Sequence, residues 1–292
     1  MSTQERARYP WGAADLIGLL AITLLAIFTM RSTWGDILQI AWRDEESSHI
    51  YLVPIVAIWM FWIRRGRWRM IRPTHRWIGP LIVAVGWWTG DFGYTHANQA
   101  LWHGGAVIVL IGAGVTIIGT EVLWRFAPAF AVLIFLIPVP GMLRQDISIP
   151  LQERTAEVTH TVFQIFNVPI SLSGSVLSFN GMEVGIAEAC NGLRMVFALA
   201  LVSYAFAFGT PLRWYVRLIV IALSPVSAII CNTIRLVPTV WIYGAWGEEQ
   251  GKIFHDYSGW VMLLISFLLL MGIIRLMRWA LVPVTSYTLA YD

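Results

Sequence analysis

Uncharged apolar stretches recur from one end of this chain to the other, each long enough to cross a hydrocarbon core of about 30 Å. A backbone inside lipid has no water to bond, so such stretches must close their own hydrogen bonds as helices. Composition agrees. Hydrophobic residues make up 58% of the 292 and charged residues 13%, about half the share found in soluble domains. Mean hydropathy is +0.67. Sixteen tryptophans suit a chain with many membrane–water crossings. The fold class expected is an all-α integral membrane protein, a single polytopic membrane domain over 1–292, and no cleavable signal peptide is expected.

Hydropathy predicts about eight spans, at 12–30, 49–63, 78–93, 100–119, 122–139, 190–208, 214–238 and 257–279. Their orientation follows from the segment 64–76, which carries Arg64, Arg65, Arg67, Arg69, Arg72 and Arg76 and no acid. The positive-inside rule puts it in the cytoplasm. Alternation then places both termini inside, together with Arg6, Arg8, Arg125, Arg213, Arg217, Arg275 and Arg278, and leaves Asp44, Glu45 and Glu46 outside. The net charge of +3 is therefore topological information, and no nucleic-acid partner is expected. The expected location is a bacterial inner (cytoplasmic) membrane.

One long segment, about 140–189, falls outside the membrane. Ile147, Leu151, Val158, Val162 and Ile165 recur at helical spacing among charges and predict an amphipathic helix on the outer leaflet, with Pro150 as a point of breakage. The alternation after residue 169, with Asn180-Gly181 at its centre, predicts a short β-hairpin before the sixth span.

Three residues suited to acyl transfer reach this outer face: Cys190 at the start of span six, Arg235 near the end of span seven and His255 just before span eight. A thiolate is the attacking form of cysteine, and a helix start favours an anion. His255 is placed to take the thiol proton and return it to a leaving amine. Arg235 is placed to stabilise the thiolate or the oxyanion, with Asn191, Arg194 and Asn232 as orienting neighbours. Each residue also has a plain reading: Cys190 as a small packing residue, Arg235 snorkelling to an interface, His255 solvated beside Asp256. Cys231 reads as packing, and its greater depth argues against a disulfide with Cys190. Of the other histidines, His49, His96, His103 and His160 have no comparable context, and His75 falls on the cytoplasmic side. Neither metal nor cofactor is expected.

These segments resemble the exosortase/archaeosortase family of membrane transpeptidase-like proteins. CNGLR (190–194), NTIR (232–235) and HDYSG (255–259) are similar to that family's Cys, Arg and His motifs, and SHIYLVP (48–54) and FLIPVP (135–140) to two further ones. Asn191 stands where a Ser is commoner, and Ile50 where a Gly is. The resemblance implies Cys190 as nucleophile, with Arg235 and His255 completing the set. It also implies substrates: exported proteins with a C-terminal signal made of a Pro-containing motif, a transmembrane helix and a basic tail. The chain then reads as a membrane cysteine protease/transpeptidase that cleaves such signals through a thioester and passes them to an envelope acceptor. Hydrolysis without transfer is the near alternative. A non-catalytic transporter or envelope-polymer assembly protein is the distant one, although the broken, repeated helices of transporters are not seen.

The charge-derived topology is testable by labelling. A cysteine at Ser173 should react with a membrane-impermeant maleimide in intact cells, above the background of the native cysteines, and one at Thr74 should not. The reverse pattern would put the Cys–Arg–His set on the wrong side.

Overall fold

The computed structural model describes residues 9–185 and 192–279. The chain forms two compact units, Met1–Pro140 and Gly141–Asp292. Both are predominantly helical, and one small sheet lies in the second.

In the first unit α1 (Ala13–Thr29) passes at Met30 into α2 (Arg31–Arg43), which turns away by 76°. Asp44 then caps a 3-10 turn, Glu45–Tyr51, by accepting from the Glu46 N–H and the Ser47 hydroxyl. That turn leads into α3 (Leu52–Ile63), and a second 3-10 turn, Arg65–Met70, follows. The tightest packing is between α4 (Ile78–Thr95) and α5 (Gln99–Ile118). A methyl group on Gly105 would lie 2.5 Å from the Gly90 Cα and 2.6 Å from the Gly86 carbonyl. Between apolar helices in lipid there is little hydrophobic drive, so close backbone approach through small residues does the associating. Ala106, Val109 and Ala113 of α5 carry the contact on to Ala26 and Met30.

The fifth expected span, 122–139, is not one helix. It divides into α6 (Glu121–Arg125), α7 (Ala127–Ala131) and a 3-10 turn, Val132–Leu136. Pro128 has no N–H to offer and sits at the start of α7, where its fixed φ begins a new helix more readily than it continues an old one.

The second unit starts with α8 (Gly141–Ile165), which runs unbroken through Pro150. The expected apolar stripe is present and lies on the outward side of the helix. Ile147, Val158 and Ile165 are exposed, while Ser148, Thr155, Ala156, Thr159 and Phe163 are buried. Small and hydroxyl-bearing residues let α8 lie close on its neighbours and leave the stripe on the outside, the side an outer leaflet would meet. Three antiparallel strands follow: β1 (Ser171–Ser173), β2 (Val176–Phe179) and β3 (Met182–Gly185), in that spatial order. The expected hairpin is β2–β3. Phe179 pairs with Met182 across Asn180 and Gly181, whose φ values of +53° and +80° are those a tight two-residue turn demands.

Three long helices complete the unit: α9 (Gly192–Gly209), α10 (Trp214–Trp246) and α11 (Glu248–Trp279). Pro225 lies inside α10 and cannot donate to the Ile221 carbonyl. The Ser224 hydroxyl donates to it instead, at 2.9 Å. Leu177, Phe179 and Val184 of the sheet pack with Ala156 and Phe163 of α8 on Leu236 and Val240 of α10. The turn at 180–181 is pinned farther along α10, where Asn180 donates to the Gly244 carbonyl at 3.3 Å.

Among the described residues four stretches are long and apolar enough to cross a membrane, namely Glu46–Ile63, Gln99–Ile118, Trp214–Trp246 and Glu248–Leu276; the bent pair α1–α2 makes a fifth. Ala127–Leu136 and Leu193–Gly209 are apolar but shorter.

The α4–α5 contact predicts a contrast. Gly105→Ala should cost about 1–3 kcal/mol, because the methyl group meets backbone. Gly114→Ala, with open space around it, should cost nothing. Unfolding midpoints in detergent would show equal losses if the close approach were unimportant.

Candidate functional site

Arg235 lies inside α10, 4% exposed, in an apolar run that continues on both sides. An unpartnered guanidinium there is costly, so its partners define the site. Asn232, one turn earlier and also buried, accepts from Arg235 Nη2 at 3.0 Å. The Thr239 hydroxyl, one turn later, donates to the Arg235 carbonyl at 2.8 Å. The Arg235 Nε is buried and has no hydrogen-bond partner among the described residues. The guanidinium therefore keeps a donor that its own helix does not use.

The facing helix is shaped around this group. A methyl group at Gly259 of α11 would lie 2.9 Å from Arg235 Nη1, and one at Gly251 would lie 2.5 Å from the Tyr243 ring. The two contacts are eight residues apart on each helix, so they share one antiparallel register. Gly247 sets that register. Its φ of +90° ends α10 and allows α11 to begin at the next residue. In this register His255, one turn before Gly259, stands opposite Thr239. Positions 255 and 259 share a face of α11 as an i,i+4 pair.

His255 is largely covered, with its side chain 21% exposed. Its Nδ1 lies 3.2 Å from Asp256 Oδ1. A carboxylate only accepts, so this contact puts the proton on Nδ1 and the lone pair of the neutral ring on Nε2. The Ser258 hydroxyl donates to the His255 carbonyl at 3.1 Å.

Arg194 is in the first turn of α9. Met195 and Leu199 share a core with Ala228, Cys231 and Leu270. Cys190 and Asn191 lie outside the described residues. Cys231 is a buried free thiol within that core, a packing residue.

The expected helix boundaries need correction. The expected span seven ends at 238 and span eight starts at 257, which puts Arg235 and His255 at helix ends. Both lie inside helices, roughly 16 Å before the end of α10 and roughly 10 Å beyond the start of α11. The connection 239–256 between the two expected spans is helical throughout except at Gly247. Thr239 escaped the residue-by-residue reading, and Gly259 entered it only as the last residue of HDYSG. The signal for them was the four-residue offset from Arg235 and from His255.

Two histidines read as lacking context have one. His103 is fully buried in α5, with Nε2 2.9 Å from Asp36 Oδ2 of α2. His49 is buried, with Nδ1 3.1 Å from the Glu46 carbonyl. Both belong to the first unit. Among the described residues no three His, Cys, Asp or Glu side chains gather as a metal site would require.

The Asn232–Arg235 bond predicts a stability effect. Asn232→Ala should cost about 1–3 kcal/mol by stripping a buried guanidinium of an acceptor. Asn232→Asp, which keeps the acceptor, should cost less. An Asn232→Ala protein that melts with wild type would mean the bond is incidental.

A family model described as transmembrane exosortase matches residues 41–272, a stretch that includes every site residue named above. No curated protein and no solved structure matches the chain.

Proposed function

The chain belongs to the transmembrane exosortase family, and from that premise we propose that it is a membrane cysteine peptidase of the transpeptidase kind. The observation that carries the proposal is the buried Arg235 guanidinium, held by Asn232, fitted against Gly259 and one helical turn from the His255 level. A structural arginine needs no glycine opposite and no spare donor. A group awaiting an anion uses both.

In this mechanism His255 Nε2 takes the Cys190 thiol proton, and the thiolate forms a C–S bond to the carbonyl of the sorting signal. Arg235 donates to the resulting oxyanion, the charge that most needs stabilising. Collapse breaks the C–N bond, and the imidazolium gives its proton to the departing amine. An acceptor amine or water then attacks the thioester, passes its proton to the imidazole, and restores the thiolate. The substrates are exported proteins ending in a Pro-containing motif, a transmembrane helix and a basic tail. Arg194 and Asn191 orient the cluster from the start of α9.

The proposed setting is one polytopic domain in a bacterial inner membrane, with eight crossings and the site on the external face. In this setting the crossings beyond the long ones fall to α4 and to the shorter apolar helices Ala127–Leu136 and Leu193–Gly209.

Cleavage of a tagged sorting-signal substrate tests the roles. Cys190→Ala should abolish cleavage and Cys231→Ala should retain it. His255→Ala should fail, and Arg235→Lys should fail nearly as badly, since an ammonium lacks the planar fork. Gly259→Ala should reduce cleavage by crowding Arg235, whereas Gly272→Ala, with nothing nearby, should not. Cleavage by Cys190→Ala would end the enzyme reading.

A further inference from the structure

A cavity of about 340 Å³ opens in the first unit, far along the chain from the cysteine chemistry. Its walls come from the start of α1, the 3-10 turn 65–70 and the end of α5, and are mainly apolar: Leu16, Leu19, Ile117, Ile118 and the rings of Trp11 and Trp68, with Asp15 as the one acidic lining residue, paired with Arg76. The Trp11 indole Nε1 is buried and has no hydrogen-bond partner among the described residues. It packs at 5.5 Å from Trp68 and 4.8 Å from Tyr9, an aromatic set suited to a membrane–water boundary.

The same short turn carries the charge. Trp68 lines the cavity, and Arg67 and Arg69 flank it in sequence, with Arg65 one 3-10 turn earlier. All three arginines are exposed. Arg67 donates to the Arg125 carbonyl at 3.0 Å, and Arg65 lies over the Trp62 ring at 4.7 Å. None of the three has an acidic partner among the described residues. The nearby acids are engaged elsewhere: Asp15 with Arg76 and the Gly12 N–H, Glu121 with Arg125 and the Arg72 N–H. An apolar cavity, an unused indole donor and guanidinium groups without an acidic partner thus gather around one 3-10 turn.

We propose that this cavity binds an anionic phospholipid, with acyl chain and glycerol against Leu16, Leu19 and Ile117 and the phosphodiester headgroup on Arg65, Arg67 and Arg69. A free phosphate would leave the apolar walls unused. A zwitterionic headgroup would bring its own cation to the arginines. Guanidinium groups near a surface favour anionic lipid additively, and the cavity adds the chain contacts that a bare basic patch lacks.

The test uses the purified full chain in neutral detergent, with bound lipid counted by native mass spectrometry and the unfolding midpoint followed in parallel. Phosphatidylglycerol should bind and raise the midpoint, whereas phosphatidylcholine and inorganic phosphate should do neither. Replacing the three arginines together (Arg65→Gln, Arg67→Gln, Arg69→Gln) should weaken phosphatidylglycerol binding by about tenfold or more. Leu19→Trp, which fills the cavity, should also weaken it with every charge in place. Arg154→Gln, an exposed charge on α8, should bind as wild type does. Equal binding of phosphatidylcholine, an equal effect of inorganic phosphate, or full binding by the triple or Leu19→Trp variant would overturn the proposal. The wild-type comparison decides the headgroup question even where a variant is unstable.

Discussion

A guanidinium surrounded by apolar side chains must find its partners within reach, and in the second unit the rest is arranged around that need. Arg235 takes an acceptor one turn back, at Asn232, and has its carbonyl bonded by Thr239 one turn on. Burying such a charge is costly unless it is paired, and the one acceptor supplied by its own helix leaves the Nε donor over. The same helix, α10, is also the packing axis of the unit. Its Leu236 and Val240 receive the sheet and α8, its Ala228 and Cys231 share a core with α9, and its Tyr243 and Arg235 lie against glycines of α11. A change that tilts α10 therefore reaches every layer of the unit.

The first unit answers a different need. Its helices carry few side chains that attract one another in lipid, so α4 and α5 approach until Gly86, Gly90 and Gly105 touch backbone to backbone. The buried His103–Asp36 contact, at 2.9 Å, ties α5 to α2 in the same unit. Dispersion packing in one place and a polar contact in another replace the hydrophobic collapse available to a soluble protein.

Local chemistry was legible in the sequence where one short segment settled it. Asn180-Gly181 between alternating residues marked the hairpin, because few dipeptides accept two successive positive φ angles. Helical content and the existence of α8 were legible for similar reasons. The buried face of α8 was not, since an apolar stripe does not say whether lipid or protein covers it, and here protein covers Ser148, Thr155 and Thr159. Helix ends near the site were misjudged because hydropathy falls where polar residues begin, whereas the helices change only at Gly247. Arg235, Asn232 and His255 stand out in the sequence by their cost and position. The guanidinium–Gly259 contact required coordinates, and Cys190 and Asn191 stand outside the described residues.

The turn at Gly247 has one more consequence. With a single residue joining α10 to α11, the offset between Arg235 and His255 is set by counting alone. One residue inserted on either arm would rotate its partner by about 100° and raise it by about 1.5 Å, turning position 255 off the face of α11 that meets Arg235. Lengthening is harmless only in matched blocks of seven, one block in each arm, because seven residues return a helix to within about 20° of its starting phase. Natural variation between positions 235 and 255 should then be almost free of insertions and deletions, and any hairpin that has grown should have grown by the same heptad on both sides.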